Sequence, residues 1–319
     1  MPNSETHHRK LLVISEIGLG DALTLIPALE TLKQKRPGLQ IDMLAPGLYP
    51  LRDAYKSIFN ILDHEPISQM DRKQRFQWLK NQLYQWVWNT ENEKSHWRRI
   101  FEVVNHPRWI SSPPHKKWPK RSVLKLRQQQ LKKLFPEVDS FTKPLLELSL
   151  NQAQERQQFL SQFPMGEKLI AIQPGAKDPT KVWPTEKYIQ LIHVLLQQSD
   201  ISVLLFLTSE EKKQFPESAL PNSNKLLVIT EPLNQLIPKL AACNLFIGND
   251  SGFYHLSFAL HLPVIGFFRS RRNMKIWAYH SERAKAMCVH LPHQIRHHWH
   301  RLISVKSVVK AANRFLKQK

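Results

Sequence analysis

"EIGLGDALTLIPAL", residues 16–29, follows directly on the apolar run "LLVIS" (11–15), and its reading decides the fold. The chain holds nine glycines in 319 residues, yet two of them, Gly18 and Gly20, stand just before Asp21. A short apolar run, a glycine turn and then apolar residues at Leu23, Ile26, Ala28 and Leu29 spell strand, tight turn and amphipathic helix. Asp21 then lies at or near the helix N-terminus, where a carboxylate accepts bonds from orphan backbone N–H groups. It lies equally at the carboxyl end of a strand, the edge at which open α/β sheets hold their ligands. On these residues alone both readings stand.

Working outward, the strand–helix logic continues with a strand at about 40–45 and resumes from residue 165. Apolar runs at 168–176, 201–208, 225–230, 244–250 and 262–268 read as strands, with helical stretches around 185–198, 233–242 and 252–260. Such alternation predicts parallel sheets covered by helices on both faces. Two α/β domains in tandem are expected, residues 1–160 and 161–319, joined where "NQAQERQQFLSQFPMGE" (151–167) reads as a helix and a connecting loop. The segment 64–150 is less regular. Phe76, Leu79, Leu83 and Trp86 fall on one helical face, and six of the nine tryptophans lie in this segment. Core packing is the first explanation of those rings; a basic, aromatic surface at a membrane interface is the other.

Hydrophobic content of 42% suits a globular protein, and no run approaches the roughly 18 apolar residues of a membrane span. "MPNSETHHRK" has no apolar core of a signal peptide, so a cytoplasmic protein is expected. Cys243 and Cys288 are the only cysteines, too few for a disulfide framework or zinc cluster. Net charge is +20 and uneven: residues 94–133 carry twelve Lys/Arg against Glu102, and residues 269–319 thirteen against Glu282. Charge so concentrated attracts polyanions, whether nucleic acid, acidic lipid headgroups or a phosphorylated glycan.

The glycine loop lacks the third glycine of a dinucleotide fingerprint and the Lys-Ser/Thr ending of a P-loop. In the second half, "QPGAKDPTKVWP" (173–184) follows a strand and projects Lys181 from the sheet edge. "GNDSGFYHLSFAL" (248–260) ends a strand and opens a helix at Asp250, Ser251 and Gly252, with His255 one turn on. A helix N-terminus binds phosphate through its N–H donors and dipole; capping by Asp250 or Ser251 and a core role for His255 are the structural alternatives. Glu210 and Glu211, just past the strand 201–208, are placed to meet ribose hydroxyls or simply to favour a helix start.

Taken in order, "GLGDALTLIPAL", "PGAKDPTKVWP" and "GNDSGFYHLSFALHLPVIGFF" make the chain similar to glycosyltransferase family 9, the heptosyltransferases of bacterial lipopolysaccharide core assembly. The resemblance implies two Rossmann-like domains facing each other across a cleft, the B-type glycosyltransferase fold. The first would bind the acceptor and the second the nucleotide-sugar, with the C-terminal helix able to pack back on the first. It implies an inverting, metal-independent transfer of heptose from ADP-heptose to the inner core of lipopolysaccharide or a lipid A precursor, without a cofactor, by a cytoplasmic enzyme peripheral to the inner membrane face.

Residue by residue, Asp21 would be the general base and Lys181 the catalytic contact to the donor diphosphate. Gly18 and Thr24 would face the acceptor. Gly20, Glu210, Glu211, Asp250, Ser251, Gly252, His255 and Arg269 would complete the donor site. One carboxylate suffices for an inverting displacement, and without a metal the leaving diphosphate must be met by Lys181 and the helix N-terminus. Gly18 and Gly20 are expected to bend the loop and leave room for a sugar.

Two departures stand out. Thr24 replaces a histidine often found three residues after the base, and Arg269 begins a "RSRR" loop where a Gly-Pro/Ser-Thr loop is usual. Arginine can grip phosphate bidentately. It also motivates an alternative: a non-catalytic protein of the same fold that holds nucleic acid or acidic membrane through its basic surface. The histidines His290, His293, His297, His298 and His300 form no regular metal-ligand set.

Overall fold

The computed structural model describes residues 9–16, 18–90, 96–103, 108–113, 121–139, 145–289, 291 and 298–317. The chain divides into two compact units, Met1–Pro144 and Leu145–Lys319. The division falls before the join at 160/161 expected from the sequence, because the helix Leu150–Leu160 packs on the helix Leu233–Ala241 of the second unit.

In the first unit, β1 (Lys10–Ile14), β2 (Gln40–Leu44), β3 (Asn60–Ile61), β4 (Trp86–Asn89) and β5 (Trp109–Ser111) form one parallel sheet in the order β3-β2-β1-β4-β5. The order reverses between β1 and β4, where Ile14 pairs with Asn89. A central parallel strand is covered on both faces, which is why Leu11 to Ile14 are fully buried without polar alternation. The segment read as one long helix is in fact the helix Arg72–Asn81 followed by β4. Asp71 and Gln74 close a capping box at its start, Leu83 turns the chain at φ 56°, and Trp86 lies in the strand. The aromatic, β-branched run "WVWN" is buried on both faces, an environment that favours strand over a helical stripe. Trp88 and Trp97 are fully buried, and Trp78 stacks edge-on against Trp97. These rings are therefore core; Trp118 lies outside the described residues.

In the second unit, β6 (Lys168–Gln173), β7 (Ile201–Phe206), β8 (Leu226–Ile229), β9 (Leu245–Asn249), β10 (Val264–Phe267) and β11 (Ala284–Met287) form a parallel sheet ordered β11-β10-β9-β6-β7-β8. Here the order reverses between β6 and β9. The helix Thr185–Leu196 buries Tyr188, Leu191, Ile192 and Leu195 against one face. The C-terminal helix Val305–Lys317 packs Val308 and Ala312 into that same core, so its described packing is within the second unit. The α/β architecture of two helix-covered parallel sheets is the one read from the sequence. Among the described residues no helix is long and apolar enough to cross a membrane.

Candidate active site

In the first unit, the chain leaves β1 and enters the short helix Leu19–Leu23, with Asp21 in its first turn. This is the carboxyl edge of the sheet at the point where strand order reverses, the position at which open α/β sheets hold ligands. Gly18 is extended (φ 171°, ψ 170°), a conformation open to any residue, and a Cβ there would meet nothing within 4 Å. Space is thus open at Gly18 itself, and its backbone does not need glycine for the bend. The close approach lies opposite. A Cβ on Gly47, in the turn Pro46–Leu51 after β2, would sit 2.7 Å from the Leu19 nitrogen and 3.1 Å from the Gly18 carbonyl carbon.

Asp21 has a partner that the sequence did not announce. Arg127, on the helix Val123–Lys132, is wholly buried, and its Nη2 lies 3.8 Å from Asp21 Oδ1. Arg127 Nη1 donates to Ser112 Oγ (3.3 Å) and Gln130 Oε1 (3.4 Å), and Ser112 donates to Gln130. A buried guanidinium requires both a counter-charge and hydrogen-bond acceptors, and this cluster brings it the Asp21 carboxylate and two acceptors for Nη1. Thr24 is 1% exposed, and its hydroxyl donates to the Asp21 carbonyl (2.6 Å), closing the helical turn. Gly20 lies inside the turn, its carbonyl accepting from Thr24 N.

In the second unit, the loop after β6 and the turn after β9 meet at the other reversal of strand order. Asn249, fully buried at the end of β9, pins the loop. Its Nδ2 donates to the Pro174 carbonyl (2.5 Å), and its Oδ1 accepts from Trp183 N and Tyr188 Oη, both at 3.0 Å. Lys181, so held, reaches Asp250 Oδ2 at 2.8 Å. Ser251 precedes the helix Gly252–Ala259 in an extended conformation and makes no side-chain cap; its hydroxyl donates to Gln173 Oε1 (3.3 Å). Gln173 Nε2 in turn donates to Glu211 Oε1 (3.2 Å). Lys181, Asp250, Ser251 and Glu211 thus gather around Gln173 and Asn249 at one sheet edge.

The two glutamates part company. Glu211 closes a capping box with Thr208 and leans over Gly175, where a Cβ would collide with its carboxylate. Glu210 is exposed and paired with Lys213 at 2.8 Å. Arg269 Nη1 donates to Asp178 Oδ2 (3.3 Å) and to the Thr180 hydroxyl, so it braces the Lys181 loop. Burial works to raise the Asp178 carboxyl, but its hydrogen bonds from Thr180 and the charges of Arg269 and Lys181 outweigh this and hold it below the usual value. His255 is 3% exposed and shares a 2.9 Å hydrogen bond with Tyr279 Oη. Burial, and secondarily the Lys181 charge, push its ring down to about 3, so it is neutral and brings no positive charge to the site. His290, His293 and His297 lie outside the described residues; among those described, no group of three or more His, Cys, Asp or Glu could hold a metal ion.

The sequence model of the family described as Glycosyltransferase family 9 (heptosyltransferase) matches residues 110–303, more than half of the chain. Among curated relatives, the chain is 25% identical over 282 residues to Lipooligosaccharide heptosyltransferase 2 of Haemophilus ducreyi, covering 80% of this chain and 81% of that one. Among solved structures it is similar to E. coli ADP-heptose lps heptosyltransferase II (TM-score 0.73, 19% identity, 97% of this chain and 99% of that one). The glycosyl transferase family 9 protein of Veillonella parvula gives a TM-score of 0.76 at 17% identity, with 98% of each chain covered. At these identities the two structures speak for the fold.

Proposed function

The chain belongs to glycosyltransferase family 9, and from that premise we propose that it moves a heptose from ADP-heptose to the anionic inner core of lipopolysaccharide, at the cytoplasmic face of the inner membrane. The observation that carries this reading is the cluster at the edge of the second sheet. A lysine, a helix start with no side-chain cap and a carboxylate lie together where a nucleoside diphosphate would bind. The relatives reported above, named heptosyltransferases, support the sugar and the acceptor class.

Each residue then has a role set by its chemistry. Lys181 and the N–H groups at Gly252 meet the diphosphate charge, which grows as the sugar leaves. Asp250 would repel phosphate directly, so its role is to hold Lys181 in place. Glu211, rather than the solvent-facing Glu210, accepts from the ribose hydroxyls. Asp21 takes the proton of the acceptor hydroxyl as that oxygen bonds to the anomeric carbon; the bond from that carbon to the diphosphate breaks and ADP departs. A single displacement inverts the anomeric configuration, needs no metal and uses no cofactor.

Isothermal titration with ADP, UDP and GDP tests the donor site. ADP is expected to bind selectively, and Lys181→Ala to weaken it by about tenfold to a hundredfold, the worth of one hydrogen bond to a charged group. Equal binding of the three nucleotides, or ADP affinity untouched by the substitution, would remove this reading.

A further inference from the structure

Helix Val305–Lys317 has two unlike faces. Val308 and Ala312 are buried in the core of the second unit, and Val305, Val309, Ala311, Phe315 and Leu316 pack partly against it. Lys306, Lys310, Arg314 and Lys317 recur at helical spacing on the other side, and all four are exposed. At 100° per residue they span an arc of about 80° and a length of roughly 16 Å, a straight single-sided ridge. Among the described residues none of the four is paired with a carboxylate. The sequence holds no acidic residue from 283 to its end. At the helix's leading end, Leu302 is 55% exposed beside the exposed Arg301.

A lysine ridge on a surface helix is ordinarily balanced by i±4 acids that keep it in solution. Here that balance is missing, and an exposed leucine, Leu302, closes the short helix that precedes this one in the chain. The described tryptophans of the segment that offered a membrane surface in the sequence pack in or against the core of the first unit. We infer that the C-terminal helix is the surface by which this protein docks on an anionic lipid bilayer. The four cations lie against headgroup phosphates, and Leu302 enters the interface. This rests on the proposed function in one respect, that the acceptor is anchored in such a membrane. Charge complementarity selects an acidic surface, and the adjoining apolar side chain selects a bilayer over nucleic acid, which has no apolar layer to receive it.

The test is co-sedimentation of the full chain with vesicles of phosphatidylcholine alone and of phosphatidylcholine with phosphatidylglycerol. Binding is expected only to the acidic vesicles, falling as salt rises. The triple variant Lys306→Glu, Lys310→Glu, Arg314→Glu should weaken it by about a hundredfold or more. The variant Lys56→Glu, Lys73→Glu, Lys80→Glu changes net charge equally, uses exposed lysines of the first unit and should bind nearly as the parent does. Equal losses in both variants would assign the attraction to overall charge and overturn the proposal. So would displacement from the vesicles by DNA at matching phosphate concentration.

No sugar substrate enters this experiment, so failure of the heptosyl-transfer reading would leave its result legible. Conversely, the helix variant should keep turnover on a deacylated, water-soluble acceptor and lose it on an acceptor embedded in acidic vesicles. Loss on both would place the helix in the reaction itself and contradict a docking role.

Discussion

Arg127 is the residue on which the first candidate site turns. Its guanidinium is buried on a helix whose sequence gives no hint of ligand contact, and its ion pair to Asp21 is long, at 3.8 Å. The pair sets a positive charge beside the carboxylate at the sheet edge, and under the proposed function that charge helps to position the base. Arg127→Met is expected to lower turnover by up to about a hundredfold, because misplacing a reacting group by an ångström has costs of that order. ADP affinity should stay unchanged, since Arg127 belongs to the first unit and the proposed donor site to the second. Steady-state kinetics with parallel ADP titration checks this; a rise in KM for the donor at constant kcat would contradict it.

At the scale of elements, two contacts carry predictions. Gly47 lies against the backbone of Leu19, and backbone cannot swing aside as a side-chain tip can. Gly47→Ala should therefore destabilise the protein by about 1–3 kcal/mol in urea titrations and shift the helix that carries Asp21. On the helix Gly252–Ala259, His255 is held neutral by burial. Its pKa is lower folded than unfolded, so between its ordinary value of 6.5 and about 3 the unfolded chain binds a proton that the folded chain refuses. Stability at His255 is thus fully present above pH 6.5 and declines as pH falls, by up to about 1.4 kcal/mol per pH unit. His255→Asn should flatten this slope in denaturation curves taken between pH 7 and pH 5; an unchanged slope would show that another group carries it.

These same elements show what could be read beforehand. Five strands of the second unit, β6 to β10, were legible because each is a continuous apolar run and most are separated by a helix of clear period. β3 and β5 are two and three residues long, too short to register a pattern. β4 hid inside an apparent helical stripe. β11, "AKAM", alternates weakly and is only half-buried, so it resembles a loop. At the candidate sites, Asp21, Lys181 and Asp250 announced themselves by following strands. Asn249, Gln173, Arg127 and Gly47 did not, because their importance lies in contacts with residues far along the chain. Asn249 stood within the quoted "GNDSG" motif and drew no notice beside its aspartate; what marks it is a polar amide at the carboxyl end of a buried strand.

Across the whole molecule, one design occurs twice. Each unit has a parallel sheet whose order reverses beside its first strand, and each carries candidate chemistry in the loop that leaves that strand, joined in the second unit by the turn after β9. The first unit offers a carboxylate; the second offers a lysine and a helix start. Arg269, the departure that favoured a binding protein, braces the lysine loop and so has a place within the transferase reading.

Asp21 is the centre of this account, and Asp21→Asn tests it most directly. The substitution removes one negative charge from beside the buried Arg127 and should cost about 1–3 kcal/mol in stability, less than a fully buried pair because the Asp21 side chain is 18% exposed. ADP titration therefore accompanies the assay to show that the second unit is intact. The measurement is heptose incorporation, followed by mass spectrometry, from ADP-heptose into a heptose-deficient, deacylated inner-core acceptor. The account predicts transfer by the parent protein and none by Asp21→Asn, with equal ADP affinity in the two. Transfer by Asp21→Asn at the parental rate would contradict it.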